Sequence, residues 1–320
     1  MAKVAPRVAH SCLLLLAVSV LSFALLSAAP GNFFDELRLN PSISPETVAA
    51  LKAQYGVDQP WPARYFHWLS SIVHGEFGYS LSYHCSVGSL LWPRARNTLL
   101  LTSLAMLFAW MLAIPWGIVE AVKPNSWLNH FTSWLTSILL GIPELVLGLL
   151  LLFFAARTSW VPTGGMFSSN PASASASWKL ADLARHLILP VAALVLGSAP
   201  IFVRYVRSAV AEVWGAPFIE HTRGLGIPTV RLLYRHALPV AANSLISVFG
   251  FSLGALLSTS LVIEVVLSWP GLGPLALEAL LSRDIYVVMA VVLLSSVFLV
   301  LGNLVADLLL YWSDPRIRTV

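Results

Sequence analysis

Between two long apolar segments, the chain reads Glu220-His-Thr-Arg-Gly-Leu-Gly226-Ile-Pro-Thr-Val-Arg-Leu-Leu-Tyr-Arg-His236-Ala-Leu-Pro239. A membrane protein that only reversed its direction here would need a handful of residues. This connection is long, basic and amphipathic, and it has helical periodicity on both sides of Gly226. Two apolar segments joined in this way indicate a helical membrane protein with a structured loop at one end of its bundle.

The connection is expected to form a helix–glycine–helix element. Gly226 is free to take a positive φ, and Pro228 suits the first turn of the following helix. Val230, Leu233 and Ala237 recur at helical spacing. Such an element can fill a groove on a cytoplasmic partner, as amphipathic helices do. A basic loop lying on anionic lipid would have the same composition, so these residues alone leave both interpretations open.

Composition places the whole chain in the membrane class. Hydrophobic residues make up 58% and charged residues 11% of the 320 residues, whereas a soluble domain carries about a quarter charged residues. The net charge of +4 comes without a Lys/Arg run interleaved with aromatic residues, so nucleic acid is not an expected partner. Cys12 lies in an apolar run and Cys85 in a polar loop, so a disulfide between them is not expected.

Six segments are long and apolar enough to cross a hydrocarbon core of about 30 Å as helices. Their apolar runs are continuous rather than alternating, which argues against barrel strands. We therefore expect an all-α, polytopic membrane protein with six transmembrane helices. The six helices are placed near residues 9–29, 97–120, 130–156, 185–208, 239–265 and 285–312.

The expected organisation has four parts. Residues 1–29 form the N-terminus and the first transmembrane helix, and residues 30–96 form a long segment outside the membrane. Residues 97–312 form a five-helix core with its loop at 209–238, and residues 313–320 form a short tail.

The first apolar segment decides the orientation. Lys3 and Arg7, the apolar run and Ser27-Ala-Ala29 resemble a cleaved secretory signal, but the run is long enough to span, and its retention is the preferred interpretation. With the N-terminus inside, the inside segments carry ten Lys or Arg residues and the short outside loops carry four. This bias follows the positive-inside rule. Both termini are then cytoplasmic, and residues 30–96 are extracytoplasmic.

The extracytoplasmic segment contains two helix signals. Ser44-Pro45-Glu46 starts one helix, and Gly56 ends it. A second, amphipathic helix is expected from Trp61 to Val73. Both an interfacial collar and a docking site for an extracytoplasmic partner fit this second helix. Its apolar face would consist of Trp61, Tyr65, Trp68, Leu69 and Ile72.

The sequence contains no recognisable catalytic motif. A phosphate-binding Gly-x-x-x-x-Gly-Lys-Ser/Thr loop, a Cys/His cluster at zinc spacing and a Gly-x-Ser-x-Gly nucleophile elbow are all absent. We therefore expect no catalytic residues, no metal site and no cofactor bound by this chain.

Four acidic residues lie in or near the expected spans. Glu120 and Glu264 are placed at span ends, where interfacial water can reach them, and Asp307 is expected to pair with a neighbouring helix. Glu144 is the deepest of the four and follows Pro143, whose missing N–H allows a kink. Lining of a translocation pathway and pairing with another helix are equally compatible with Glu144.

The spacing of Glu220, Gly226 and Leu238-Pro239 resembles the Glu-Ala-Ala…Gly…Ile-x-Leu-Pro signature of ABC importer permeases. The departures are common in the dipeptide/oligopeptide/nickel branch of that family, and they are His221, Thr222 and His236. Further stretches agree, so the resemblance covers nearly the whole chain. They are Gly56–Pro60 with Gly75–Ser80, Glu264–Gly273 and Asn303–Arg318.

The resemblance implies a permease that performs no covalent chemistry itself. In this family, two sister permeases pair with two ATPases, which bind ATP and Mg²⁺, and an extracytoplasmic binding protein delivers the ligand. The loop would be the coupling helix that docks into an ATPase. The residues implied in coupling are Glu220, Thr222, Arg223, Gly224, Gly226, Ile227, Arg235, Leu238 and Pro239.

Two further sets of candidate residues complete the expectation. Glu144 and Glu264 are candidates for the translocation pathway. A short first span followed by a long outer segment is similar to the first of the two sister permeases, and this outer segment would gate the mouth or meet the binding protein. The residues expected to do so are Trp61, Tyr65, Trp68, Phe77 and Tyr79.

The implied function is that of an importer permease in the bacterial cytoplasmic membrane. Di- or oligopeptides are the expected cargo, with nickel, glutathione or an oligosaccharide as alternatives within the family. A self-contained channel or secondary transporter, and an intramembrane enzyme, are the alternatives from other classes.

Overall fold

The computed structural model describes residues 4–29, 46, 59–168 and 175–313. Most of this part of the chain is helical. Two short strands, β1 (Tyr79–Ser80) and β2 (Cys85–Ser86), pair antiparallel. A π-helical segment, Leu233–Ala237, lies between α8 and α9. The helices are α1 (Val4–Ala28), α2 (Trp61–Val73), α3 (Val87–Val122), α4 (Trp127–Gly141), α5 (Glu144–Thr158), α6 (Ala176–Trp214), α7 (Pro217–Gly224), α8 (Thr229–Leu232), α9 (Leu238–Val266), α10 (Leu272–Leu281) and α11 (Ile285–Ser313).

Within the described part of the chain, five helices are long and apolar enough to span a membrane: α1, α3, α6, the continuous helix from α8 through α9, and α11. A sixth is present when α4 and α5 are taken as one broken span. Large apolar side chains are exposed along these helices, for example Leu107 and Phe153, because lipid rather than water is their expected surrounding. The prediction of an all-α, polytopic membrane protein is confirmed.

The segment expected to cross near residues 130–156 is not one straight helix. α4 and α5 are bent by 101° at a short break. Pro143 has no N–H to continue the helical ladder, and its carbonyl accepts the Leu147 N–H at 3.0 Å to begin α5. Each arm has 15 residues, or about 22 Å, which is shorter than a hydrocarbon core of about 30 Å. The kink predicted at Pro143 is therefore present and is much sharper than a bend within one helix.

The chain forms two compact units, one made of Met1–Asn97 with Pro270–Val300 and the other of Thr98–Trp269 with Leu301–Val320. In the second unit, α3, α6 and α9 enclose the core. Trp110 of α3 stacks on Phe202 of α6 with 5.3 Å between ring centroids, and its Nε1 donates to Ser252 of α9 at 3.1 Å. These contacts give the helix bundle a continuous buried centre.

In the first unit, α2 packs on α1. Phe23 of α1 is fully buried and lies 5.5 Å from Tyr65 and 6.1 Å from Trp68 between ring centroids. A hydrogen bond of 2.8 Å joins the hydroxyls of Ser19 and Tyr65. The aromatic face of α2 is therefore used to hold the first helix.

The helix predicted from Trp61 to Val73 is confirmed, and most of its predicted apolar face is buried. Leu69 and Ile72 pack against the same cluster as Tyr65 and Trp68, whereas Trp61 is 43% exposed at the start of the helix. The helix predicted from Ser44 to Tyr55 lies outside the described residues, except for Glu46, which is helical.

In the same unit, the carboxylate of Asp284 accepts the hydrogen bonds that hold the turn before α11. The Asp284 carboxylate accepts hydrogen bonds from Ser80 Oγ at 2.7 Å and from the Ser82 N–H at 3.2 Å. Tyr83 donates its hydroxyl proton to Glu278 of α10. Burial, together with this hydrogen bond, raises the pKa of Tyr83 to about 12. The strand pair β1–β2 is thus fixed to the α10–α11 turn by polar contacts.

Candidate coupling and translocation sites

The loop between α6 and α9 folds as the predicted helix–glycine–helix element. α6 ends at Trp214, and Pro217 occupies the first turn of α7. Gly226 follows α7 with a φ of +77°, a conformation that favours glycine, and its N–H donates to the Arg223 carbonyl at 3.0 Å. Pro228 then precedes α8. Gly226 thus has the positive φ that the sequence allowed at the break between the two helices.

One side of this loop is anchored in the helix bundle. Leu232, Leu233 and Ala237 are all buried. The π-helical segment, which the sequence did not predict, changes the register because its hydrogen bonds run from i to i+5. Val230, expected on the same face as Leu233 and Ala237, lies before this segment and is 67% exposed.

The other side of the loop exposes apolar side chains among charged ones. Only Val230 among them belongs to the helical periodicity noted in the sequence, although large apolar residues in an otherwise charged connection were a visible signal. Large apolar side chains that are exposed among charged ones are typical of a protein–protein contact. We call these exposed residues the coupling surface, and they are Phe218, Leu225, Val230 and Tyr234.

The nine residues implied in coupling divide into anchors and surface positions. Ile227 and Leu238 pack against the core. Thr222 Oγ1 donates to the Phe218 carbonyl at 2.6 Å within α7. The Arg223 guanidinium lies 4.8 Å from the centre of the Trp214 ring, which ties α7 to the end of α6. The exposed members of the set are Glu220, Arg223, Gly224, Gly226, Arg235 and Pro239.

Glu120 is buried, which corrects the expectation that interfacial water reaches it. Its side chain is 2% exposed, accepts a hydrogen bond from Thr132 Oγ1 and lies 3.6 Å from Arg207 Nη1. The reason is that α4 folds back beside the end of α3 and covers the carboxylate. Glu120 therefore links three helices, α3, α4 and α6.

Glu264 is also buried, contrary to the same expectation. It is fully inaccessible in α9, although it lies only two residues from the end of that helix. The residues after α9 fold over this end, and Leu267 and Trp269 are both buried. The end of this apolar span is therefore covered by other residues of the protein and is not in contact with solvent.

Glu144 lies at the break between α4 and α5 and is exposed. Its Oε1 accepts a hydrogen bond from Thr259 Oγ1 of α9 at 3.0 Å. Its Cγ also lies 3.7 Å from where a Cβ on Gly197 of α6 would stand. The contact with α9 shows helix pairing, and the exposure leaves the carboxylate accessible to a ligand as well.

The aromatic candidates of the outer segment differ in accessibility. Tyr65 and Trp68 are buried, Phe77 is half-buried, and Trp61 and Tyr79 are exposed. In this conformation, Trp61 and Tyr79 are the members of the set that offer most surface to a partner. Among the described residues, no group of three His, Cys, Asp or Glu side chains is arranged to hold a metal ion.

Two family models match the chain. One, described as a binding-protein-dependent transport system inner membrane component, matches residues 113–319, and the N-terminal part of such membrane components matches residues 2–109. The chain belongs to this family. The resemblance noted in the sequence is confirmed, and the chain is a membrane-spanning permease of a binding-protein-dependent ABC transporter.

Several permeases are similar over almost their full length. The oligopeptide transport system permease protein AppB of Bacillus subtilis (strain 168) is 33% identical over 98% of both chains. The dipeptide transport system permease protein DppB of Escherichia coli (strain K12) is 33% identical over 94% of both chains. The glutathione transport system permease protein GsiC of Salmonella typhimurium is 31% identical over 95% of this chain and 94% of its own.

Solved structures show the same fold. A chain of the MetNI methionine ABC transporter in an inward-facing conformation superposes with a TM-score of 0.58 and 20% identity, over 70% of this permease and 96% of that chain. At this level of identity the likeness concerns the fold alone, which is that of an ABC transporter permease.

Proposed function

We propose that this permease forms half of the translocation pathway of an ATP-driven importer for di- and oligopeptides. The names of the similar AppB and DppB permeases support this cargo. A sister permease, two ATPase subunits that bind ATP and Mg²⁺, and an extracytoplasmic binding protein would complete the transporter. No covalent step is assigned to this chain, which converts the nucleotide cycle of its partners into a change of access.

The observation that carries this proposal is the coupling surface beside Gly226. An ATPase that docks there would hold α7 on its exposed side. Because Arg223 stacks on Trp214 and Ile219 is fully buried, movement of α7 is transmitted to α6 and to the bundle core. The exposed apolar side chains have no covering within the described residues and suit a partner groove.

The remaining assignments follow from the same proposal. Glu144, at the sharp break between α4 and α5, would line the pathway. The coupling surface would face the cytoplasm of a bacterial cell, with both termini on that side of the inner membrane. Trp61 and Tyr79 would then lie on the outer side, where the binding protein docks.

Glutathione is a second candidate cargo, because GsiC is similar over nearly its full length. Glutathione is itself a small peptide-like molecule, so both candidates use the same kind of pathway. Uptake of labelled dipeptide, tripeptide, glutathione and Ni²⁺ into proteoliposomes loaded with ATP separates them.

The docking assignment is tested by Leu225→Asp. Leu225 is 69% exposed in the coupling surface, so a carboxylate there should repel an apolar ATPase groove while leaving the fold intact. We expect retention of ATPase subunits on the tagged permease to fall at least tenfold. Leu281→Asp, at a leucine that is 70% exposed outside the loop, should retain them. If both variants retained the ATPase subunits equally, or if the permease alone conducted solute, the proposal would be wrong.

A further inference from the structure

A polar cavity of about 380 Å³ lies between α4 and α6. It opens to the outside of the chain and is not part of the coupling surface. Hydroxyl groups from Ser133, Thr136, Ser137 and Ser208 line it, together with the guanidinium groups of Arg204 and Arg207 and the carboxylate of Glu120. A lining of this kind inside an otherwise apolar chain suggests a ligand with charge.

The charges of this cavity do not cancel. Arg207 lies 3.6 Å from the buried Glu120 and donates to Ser133 Oγ at 3.3 Å. Arg204 donates to Ser137 Oγ at 3.0 Å and forms no ion pair with any described residue. Glu120 therefore offsets one guanidinium, and the cavity keeps one positive charge with spare N–H donors.

Aromatic side chains mark the level of this cavity relative to the bilayer. Phe131 and Trp134 of α4 are both exposed, and so is Tyr205 of α6. Each is adjacent in sequence, or nearly so, to a residue that lines the cavity. Trp and Tyr collect at the membrane–water boundary, where Arg side chains also reach lipid headgroups. The cavity thus has the surroundings of an interfacial site.

We propose that this cavity binds the phosphate of an anionic phospholipid headgroup. The planar guanidinium of Arg204 pairs with phosphate oxygens through two parallel N–H donors, as arginine commonly does. The single negative charge of a phosphodiester matches the single surplus positive charge. The hydroxyls of Ser133 and Ser208 supply further donors, so the headgroup bridges α4 and α6. The acyl chains lie along the exposed aromatic residues.

The carboxylate of a peptide is the other oxyanion that would fit these donors. The aromatic surroundings favour the lipid, because a hydrophilic peptide gains little from Trp134 and Tyr205. Titration with each compound distinguishes a lipid phosphate from a peptide carboxylate. The proposed lipid site does not depend on which cargo the transporter carries.

The test is native mass spectrometry of the purified full-length permease, titrated with phosphatidylglycerol, phosphatidylcholine, inorganic phosphate and the dipeptide Ala-Ala. We expect phosphatidylglycerol to bind about fivefold more tightly than phosphatidylcholine. Arg204→Gln should abolish that preference, and Arg204→Lys should keep only part of it, because the charge remains but the two parallel donors are lost. Arg185→Gln removes an exposed arginine from the other end of α6 and should bind as the wild type does.

The outcomes decide between the sources. An unchanged lipid preference in Arg204→Gln, or the absence of any preference in the wild type, overturns the proposal. Displacement of phosphatidylglycerol by Ala-Ala assigns the cavity to cargo instead, and equal binding of inorganic phosphate rejects the lipid. If Arg204→Gln does not fold, as judged by size-exclusion chromatography, the double variant Ser137→Ala with Ser208→Ala replaces it and should weaken phosphatidylglycerol binding.

Discussion

At Gly226, the backbone conformation bears directly on the proposed coupling function. Its φ is +77°, and no heavy atom lies within 4 Å of where a Cβ would stand. Replacement by Glu would place an L side chain in the left-handed region at a cost of about 1–2 kcal/mol and add a charge beside the coupling surface. We predict that Gly226→Glu abolishes ATP-dependent uptake and substrate-stimulated ATPase activity, measured in proteoliposomes, without loss of membrane insertion.

Gly165→Glu is the matched control for this prediction. Gly165 has a φ of +79° and equally open surroundings, but it lies outside the loop. The control variant therefore carries a similar strain and the same added charge, and we expect it to retain uptake. Full uptake by Gly226→Glu would mean that the loop does not transmit the nucleotide cycle.

Glu144→Gln separates the two roles of Glu144. A glutamine oxygen still accepts the hydrogen bond from Thr259, so helix pairing is kept while the charge is lost. We predict that uptake of a lysine-containing dipeptide falls about two- to fivefold relative to Ala-Ala, because an exposed charge contributes up to about 1 kcal/mol. Competition between the two labelled dipeptides in proteoliposomes measures the ratio.

Thr259→Val provides the complementary change at this contact. It removes the hydrogen bond but keeps the carboxylate, so it should alter uptake of both dipeptides to the same extent. A proportional loss for both dipeptides in Glu144→Gln as well would limit Glu144 to a structural role.

The sequence identified the acidic candidates but not their surroundings. Glu120 and Glu264 were expected at span ends in contact with water, and both are buried. Hydropathy reports the length of an apolar run, whereas burial of Glu120 depends on α4 folding back beside α3. Burial of Glu264 depends on where Trp269 packs. Such tertiary contacts have no signature in a local window.

At the level of elements, the length of apolar runs and the positions of helix-breaking residues predicted where the helices lie. They did not predict how the helices bend or where the hydrogen-bond register changes. The amphipathic helix of residues 61–73 and the glycine break at 226 were both anticipated. A kink at Pro143 was anticipated too, but its size of 101° between α4 and α5 was not, since proline removes one hydrogen bond and leaves the angle to packing. The π-helical segment Leu233–Ala237 was missed for a similar reason, because it inserts a residue without changing composition.

Close approach of α3 and α6 gives a stability prediction. A Cβ on Gly117 would lie 2.6 Å from Val206 Cβ and 2.8 Å from the Val203 carbonyl oxygen. The backbone oxygen can move only with its helix, and overpacking of this kind costs about 1–3 kcal/mol. We predict that Gly117→Ala lowers the thermal unfolding temperature of the detergent-solubilised permease, measured by intrinsic tryptophan fluorescence.

Gly141→Ala is the appropriate comparison for this change. Gly141 is also helical, at the end of α4, and has no heavy atom within 4 Å of a Cβ position. The substitution should leave the unfolding temperature unchanged or raise it slightly, because alanine favours the helix. An equal decrease in both variants would attribute the effect to the loss of glycine rather than to helix contact.

For the whole molecule, the orientation in the membrane is inferred from the distribution of charged residues and not from helix packing. A bundle of apolar helices can enter a bilayer in either direction, and only the distribution of Lys and Arg distinguishes the two. The expected inside segments carry ten such residues and the short outside loops four. The cytoplasmic position of both termini and of the coupling surface therefore stays a prediction, and the proposed function requires it.

Two positions allow that orientation to be measured directly. Cys85 in β2 is partly exposed, and Leu225 is strongly exposed in the coupling surface. In a Cys12→Ser background, a membrane-impermeant maleimide added to spheroplasts should label Cys85. With Cys85→Ser and Leu225→Cys combined in that background, labelling should require permeabilisation, and bound ATPase subunits should then slow it severalfold because they cover the surface. Labelling of position 225 from outside would put the loop beyond the reach of any cytoplasmic ATPase, and the coupling assignment would fail with it.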